Sequence, residues 1–257
     1  MLLQADPLHI AAISTVLFVG GVLQSTVGFA YALFATPLII WLGVPLYKAI
    51  AVVATCSFIQ AVLGVRQLHA AVPWRPVIGA IVLRLLATGI GVLILLTIST
   101  LNVSQIKFIV GCIVCGLVTL QIVWRVQPSD SVHPVWGVVA FSASGLLAGI
   151  SGMGSPPLIL WLMAHKWSSE KTRAFLFAVF VAASPVQILL LGLAFGQGVI
   201  NGVLAGVVLS PSVFLGAFIG LPIGNRIPKP VLRKMAFAVL LIIGLNSIIP
   251  QVVYYLQ

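Results

Sequence analysis

The sequence predicts an all-α integral membrane protein made of two inverted repeats, each a glycine-broken helical hairpin followed by three transmembrane helices. Three observations lead to this fold class. Apolar residues make up 61% of the chain and charged residues 6%, and the mean hydropathy is +1.24, values outside the range of soluble domains. One glycine-broken apolar run occurs twice, and the basic residues cluster in alternate loops. The apolar runs leave no polar segment for a second domain, so residues 1–257 are predicted to form a single membrane transport domain.

A broken apolar run opens each half of the chain. Residues 142–162 read SASGLLAGISGMGSPPLILWL, and residues 20–42 read GGVLQSTVGFAYALFATPLIIWL. Both runs contain a central glycine, Gly28 or Gly152, and both end in Pro-Leu-Ile-x-Trp-Leu. Glycine and proline interrupt helices inside a membrane. Each run is therefore predicted to be a hairpin, and the sequence leaves open whether it is re-entrant or two short full crossings.

Three continuous apolar spans follow each hairpin, and a span of ~20 apolar residues crosses a hydrocarbon core ~30 Å thick. The first repeat covers residues 8–125, the linker covers 126–133, and the second repeat covers 134–254. The hairpins are predicted at 8–42 and 135–164, and the spans at 49–65, 76–98, 106–123, 174–194, 199–223 and 235–253.

The distribution of the 13 lysine and arginine residues sets the predicted orientation, because short cytoplasmic loops carry an excess of basic residues. Three basic residues are exceptions to this rule: Lys48 and Lys107 lie outside the cell, and Arg84 lies within a span. Both termini are then extracytoplasmic, and corresponding loops of the two halves lie on opposite sides, so the repeats are inverted. The net charge of +10 is a topology signal rather than a sign of nucleic-acid binding. The predicted cytoplasmic set is Arg66, Arg75, Arg125, Lys166, Lys171, Arg173, Arg226, Lys229, Arg233 and Lys234.

The chain also resembles a known family. The paired glycine-broken motifs and the tail GNRIPKPVLRKMAFAVLLIIG at residues 224–244 are similar to the sulfite exporter TauE/SafE family of bacterial inner-membrane permeases, and the resemblance covers nearly the whole chain. It implies a multi-pass protein of the bacterial inner membrane that exports sulfite, sulfoacetate or related small sulfur-containing anions. The substrate class follows from the resemblance alone.

The breaks give an independent reason to expect an anion. Inverted repeats with interrupted helices are typical of secondary transporters whose site lies near the bilayer midplane. The returning leg of each hairpin presents unpaired backbone N–H groups and the positive end of a helix dipole, which bind oxyanions. Tight packing of small residues is the alternative reading. The candidate binding residues are Gln24, Ser25, Thr26, Gly28 and Phe29 at the first break, and Ser151, Gly152, Met153, Gly154 and Ser155 at the second.

Arg84 is the most informative single residue. It lies about nine residues into its span, or ~13 Å deep, where a cation costs at least ~2.5 kcal/mol. The three acids, Asp6, Asp130 and Glu170, all lie at the ends of spans. A transported anion is therefore the expected counter-charge of Arg84, and the alternative is a structural role in contact with backbone carbonyls or a helix C-terminus.

Further polar residues within the spans, Gln60, Ser184 and Gln187, line the pathway or form interhelical hydrogen bonds, and both readings stay open. The spans contain no His, Asp or Glu, so neither an enzyme nor a metal or other cofactor is expected. The same lack of acids favours uncoupled export, because an anion leaves a cell that is negative inside with a gain of ~2.3 kcal/mol per charge per 100 mV. Coupling through protonation of the anion, or through a cation held by backbone carbonyls at the breaks, stays open.

The expected partners are a small anionic substrate and the lipid bilayer, with no nucleic acid; a homodimer is left open. Two alternative functions also stay open. One is a permease or channel for another small anion, such as a carboxylate or sulfate. The other is a membrane subunit that transports nothing.

Overall fold

The structure is a computed structural model that describes residues 6–27, 30–124, 126–129, 132–227 and 229–256. These residues form helices, turns and one isolated backbone bridge between Ser129 and His165. A short 3-10 turn, His69–Ala71, extends the third helix. The helices are α1 (Pro7–Val27), α2 (Tyr31–Trp41), α3 (Leu46–Leu68), α4 (Trp74–Ile98), α5 (Val103–Val123), α6 (Pro134–Ser151), α7 (Ser155–Met163), α8 (Ser169–Phe195), α9 (Gln197–Arg226) and α10 (Lys229–Leu256).

Within the described ranges, eight helices are long and apolar enough to cross a membrane, namely all of those above except α2 and α7. The predicted all-helical multi-pass membrane fold is thereby confirmed. The helices α3, α4 and α5 follow the first hairpin, and α8, α9 and α10 follow the second. Each half therefore consists of a broken pair of helices and three continuous ones.

The second hairpin has legs of unequal length. Its first leg, α6, has 18 residues and its return leg, α7, has nine, which at 1.5 Å per residue is a rise of ~13.5 Å, less than half of a hydrocarbon core. The backbone N–H of Ser129, before α6, donates to the carbonyl oxygen of Ala164, after α7, at 2.9 Å. The hairpin therefore begins and ends at the same end of the molecule, and its tip lies in the interior.

Local chemistry explains the break between these legs. Gly152 has a φ of 76°, a left-handed conformation that ends α6 and that L-residues adopt only with strain. The backbone N–H of Gly152 donates to the carbonyl oxygen of Ala148 at 2.9 Å. Pro156 and Pro157 occupy the first turn of α7, where a helix has no N–H bond to lose. Glycine thus stops one leg and proline starts the other.

Each hairpin packs on a helix of the other half. α6 lies along α4 in the same direction, since Gly145 contacts Arg84 and Gly149 contacts Thr88. α1 packs with comparable extent on α9. The breaks are thereby held against continuous helices from the opposite half of the chain.

The loops fall into two sets at opposite ends, because consecutive crossing helices are joined by short connections. The loops after α3, α5, α7 and α9 share one end with most of the basic residues, among them Arg66 and Arg173. We name this the basic end. The opposite end holds the starts of α3 and α5, which carry Lys48 and Lys107.

The contact between α4 and α6 predicts a stability difference between two glycine substitutions. A Cβ atom at Gly145 would overlap the carbonyl oxygen of Arg84 and lie 2.9 Å from the Cβ of Ala87, whereas a Cβ at Gly89 would meet nothing within 4 Å. Gly145→Ala should lower the free energy of unfolding by about 1–3 kcal/mol through overpacking. Gly89→Ala should be neutral or stabilise by up to ~1 kcal/mol through helix propensity. Thermal unfolding of the purified variants in one detergent measures both, and equal melting temperatures would contradict the assigned packing.

Candidate functional site

A small cavity of about 30 Å³ lies where both breaks meet α3, α4 and α8. We name it the central cavity. The central cavity is large enough for about two water molecules. Seven residues singled out in the sequence line it, from four different parts of the chain: Gln24, Arg84, Gly152, Gly154, Ser155, Ser184 and Gln187. The remaining wall is formed by Tyr31, Ala32, Ile50, Val53, Ala54, Ser57 and Phe180.

Arg84 is the charged group of the central cavity. Its side chain is 4% exposed, and its Nη1 donates a hydrogen bond to the hydroxyl of Ser144. The guanidinium carbon lies 5.4 Å from the centroid of the Phe180 ring, within the range of a cation–π contact. The Nε has no hydrogen-bond partner among the described residues. Arg84 is thus oriented by neutral groups and keeps part of its donor capacity unused.

A hydroxyl relay joins Arg84 to the second break. The Ser144 hydroxyl accepts from Arg84 and donates to the carbonyl oxygen of Gly154. A Cβ atom at Gly154 would overlap the carbonyl oxygen of Ser144 and lie 3.1 Å from Nη2 of Arg84. Only glycine at this position lets the guanidinium approach the break so closely. The relay therefore fixes the cation beside the N-terminus of α7.

Gln187 holds the same break from the side of α8. Its Nε2 donates to the carbonyl oxygen of Ala148 at 2.8 Å, and that oxygen also accepts from the backbone N–H of Gly152. Gln187 and Ser184 are 6% and 5% exposed, so both present polar atoms in an otherwise apolar interior. The interhelical hydrogen bond and the lining of the cavity, which the sequence left as alternatives, occur together at Gln187.

Gln24 spans the first break. Its Oε1 accepts a hydrogen bond from the backbone N–H of Tyr31 at 3.3 Å, and Tyr31 is the first residue of α2. The glutamine thereby satisfies one of the unpaired N–H groups that open a helix. The candidates Gly28 and Phe29 lie outside the described residues.

Other candidates from the sequence lie away from the central cavity. The hydroxyls of Thr26 and Ser151 donate to backbone oxygens of their own helices, those of Val22 and Leu147, each at 2.9 Å. Met153 is fully buried in the apolar core.

Ser25 and Gln60 line a larger groove of about 720 Å³ between α1, α3, α8 and α9. This groove, which we name the inner groove, extends to Arg173 near the basic end. Gln24 and Phe180 line both the inner groove and the central cavity. Their side chains therefore stand between the two spaces.

Ser144 and Phe180 are site residues that sequence reasoning missed. Ser144 is fully buried and forms an i, i+4, i+7 series with Ala148 and Ser151 on one face of α6, a spacing that the sequence displays. Phe180 carries no comparable signal, because its role depends on the packing of α8 against α4. An aromatic residue in an apolar helix is indistinguishable from core until the cation is placed beside it.

Comparisons with known proteins agree with the resemblance seen in the sequence. The family model described as "Sulfite exporter TauE/SafE" matches residues 13–247. A curated relative, the "Probable sulfite/organosulfonate exporter TauE" of Cupriavidus necator strain H16, is 25% identical over 256 residues, which cover 95% of this chain and 96% of the relative. No solved structure matches the chain.

Proposed function

The chain belongs to the sulfite exporter TauE/SafE family, since the family model matches residues 13–247, and from this premise we propose that it exports a small sulfur oxyanion, sulfite or an organosulfonate, through the central cavity. The family consists of exporters, so the expectation of transport rather than catalysis is confirmed, as is a multi-pass location in the bacterial inner membrane. The name of the Cupriavidus necator relative supports the substrate class.

The observation that carries the proposal is the unpaired charge of Arg84 beside a helix break. A guanidinium at the centre of a membrane costs at least ~2.5 kcal/mol and needs a counter-charge or a polar cavity. Neither Asp6 nor Glu170, the acids in the described part of the chain, contacts Arg84. The N-terminus of α7 adds the positive end of its dipole to the same cavity. The local field therefore favours an anion.

The geometry of the Arg84 guanidinium favours an anion that has at least two oxygens to accept hydrogen bonds. Arg84 uses Nη1 for Ser144, and its Nε has no partner among the described residues. The edge formed by Nε and Nη2 has the fork geometry that binds two oxygens of one oxyanion. Sulfite and the sulfonates present such a pair of oxygens. The start of α7 contributes mainly the positive end of its dipole, because Pro156 and Pro157 in its first turn have no backbone N–H to donate.

The small size of the central cavity indicates that the transporter is in a closed state. About 30 Å³ is less than a sulfur oxyanion requires, so loading requires movement of the wall. Gln24 and Phe180 separate the cavity from the inner groove, and the groove reaches Arg173 at the basic end, which is cytoplasmic under the positive-inside rule. The proposed entry route runs from the cytoplasm along the inner groove and past Phe180.

The pairing of helices supports inverted repeats as part of the proposal. α1 of the first half packs on α9 of the second, and α6 of the second packs on α4 of the first. An exchange of this kind is what two oppositely oriented copies of one unit produce. Rocking of such units about a fixed site is the usual basis of alternating access.

Export by this mechanism should respond to membrane potential and need no coupled cation. Isethionate is a suitable probe, because its sulfonate stays monoanionic near neutral pH. Proteoliposomes loaded with labelled isethionate should lose it faster when the interior is made negative, since each charge gains ~2.3 kcal/mol per 100 mV. A proton or sodium gradient alone should leave the rate unchanged. Efflux that required either gradient would contradict uncoupled export.

The same vesicles test the substrate class. Sulfite and sulfoacetate added as competitors should slow the flux of labelled isethionate, whereas acetate should not. Flux of carboxylates or sulfate without flux of sulfite or sulfonates would assign the chain to another anion. Absence of any flux, with the protein folded and inserted, would favour a subunit that transports nothing.

A further inference from the structure

A second polar depression opens at the end of the molecule opposite the basic end. It has a volume of about 780 Å³ and lies between the end of α2, the start of α5 and the end of α10. Its wall includes Trp41, Asn102, Ser104, Lys107, Asn246 and Gln251. We name it the outer vestibule. Within the described part of the chain, no residue lines both the outer vestibule and the central cavity.

Two groups in the outer vestibule have donors with no protein partner. Gln251 is 8% exposed, and its side-chain amide makes no hydrogen bond within the described ranges. Lys107 is half-buried and forms no ion pair with any described residue. Both side chains line the open depression, so their donors are available to a ligand that accepts hydrogen bonds.

The position of Lys107 has no topological explanation. Basic residues that orient a membrane protein lie on the cytoplasmic side, and Lys107 lies at the opposite end. None of the described residues in the wall of the outer vestibule carries a carboxylate. Asn102 at the start of α5 uses its Oδ1 and its backbone N–H in a capping box with Gln105, and its side-chain Nδ2 is left as a donor beside the lysine and the other amides. The vestibule is thus a cationic space lined by amide donors.

α2 connects the outer vestibule to the central cavity. Tyr31 at its start lines the cavity, and Trp41 at its end lines the vestibule, a separation of ~15 Å along the helix. The indole Nε1 of Trp41 donates to the hydroxyl of Ser247 at 2.9 Å, which ties the end of α2 to the vestibule wall. A ligand that leaves the central cavity along α2 arrives beside Lys107.

We propose that the outer vestibule is a second binding site for a small oxyanion, in which Lys107 and the amides of Gln251 and Asn246 hold the transported anion as it leaves. This inference rests on the proposed function, because the anion reaches the vestibule from the central cavity. The site is open and accepts one anion by charge and hydrogen bonding rather than by enclosure. The phosphate of a lipid headgroup has the same chemistry, and the test separates the two sources.

The test uses a reporter thiol on the vestibule wall. Ser104→Cys is modified in phosphatidylcholine nanodiscs by sulfonatoethyl methanethiosulfonate or by its trimethylammonium counterpart, and the parent protein with its three native cysteines gives the background rate. The sulfonate reagent should react ~10-fold faster relative to the cationic one because the lysine concentrates anions. Saturating isethionate should slow the modification.

Matched variants connect these effects to the named groups. Lys107→Gln should remove both the faster reaction with the sulfonate reagent and the protection by isethionate. Lys107→Arg should restore the faster reaction with the sulfonate reagent. Gln251→Leu should weaken the protection by isethionate. Lys48→Gln removes the same charge at the same end, where Lys48 contacts the Tyr47 ring, and should change neither. Equal protection by isethionate in the Lys107→Gln and parental backgrounds would overturn the proposal.

Two further arms separate the possible causes. Protection by isethionate should persist in nanodiscs that contain phosphatidylglycerol, and its loss there would assign the site to a lipid phosphate instead of the transported anion. Arg84→Gln should leave protection of the reporter intact while abolishing transport. Intact transport in that variant would refute the central site, whereas lost protection would refute a separate vestibule site.

Discussion

Arg84→Gln is expected to abolish transport of sulfite and isethionate while the protein still folds. The substitution removes the one charged group among the described residues that line the central cavity, together with the bidentate edge formed by Nε and Nη2. A hydrogen bond to a charged group contributes ~1.5–3 kcal/mol, so the affinity for the anion should fall by a factor of roughly 10–150. Arg84→Lys keeps the positive charge but loses the two-pronged guanidinium edge. Its affinity for the anion should lie between that of the wild type and that of Arg84→Gln.

A half-buried arginine, Arg233, supplies the control. Arg233 at the start of α10 donates to the carbonyl oxygen of Gln121 at 3.1 Å and lies over the Phe237 ring, away from the central cavity. Arg233→Gln removes one positive charge from the chain and should still bind isethionate. Binding is measured as the rise in melting temperature with added isethionate. Arg84→Gln with a wild-type rise and wild-type flux would make Arg84 a structural residue.

Gly154→Ala should also abolish transport, for a steric reason. The added Cβ would overlap the carbonyl oxygen of Ser144, lie 2.8 Å from the Cβ of Ala148 and lie 3.1 Å from Nη2 of Arg84. The break must then move away from the guanidinium, which disrupts the relay through Ser144. We expect a loss of flux of at least ~10-fold, because a misplacement of about 1 Å is costly wherever charged groups must converge.

Gly192→Ala is the matched control, since a Cβ on that glycine of α8 would meet nothing within 4 Å. It should transport normally. Flux of isethionate and thermal unfolding are compared for both variants. Wild-type flux in Gly154→Ala would show that the close approach of Arg84 to the break has no role in transport.

The continuous helices could be predicted because each depends on local composition. The spans expected at 76–98 and 106–123 agree closely with α4 and α5, since apolar length and polar flanks decide both. The second return leg begins at Ser155, where the two prolines predict it. The first return leg begins at Tyr31, three residues beyond the central glycine of its motif. No proline marks that start in the sequence, so its position could not be predicted in the same way.

The candidate site was predictable where a residue is unusual for its place, either as part of the glycine-broken motif, such as Gly152 and Gly154, or as a polar group in an apolar span. Arg84, Gln24 and Gln187 are polar groups within apolar spans, and all three line the central cavity. Thr26 and Ser151 carry the same kind of signal, but their hydroxyls bond to their own helices, a choice that the sequence does not reveal. The directions of side chains on either side of a break follow from tertiary packing rather than from spacing.

An anion site at the two breaks is tested most directly by an anomalous difference map of crystals grown with selenite, the selenium analogue of sulfite. We expect a selenium peak between Arg84 and the start of α7, with oxygens within ~3.5 Å of the guanidinium nitrogens. The peak should disappear in crystals of Arg84→Gln. A selenium peak elsewhere in the same crystals, with no peak beside Arg84, would contradict an anion site at the two breaks.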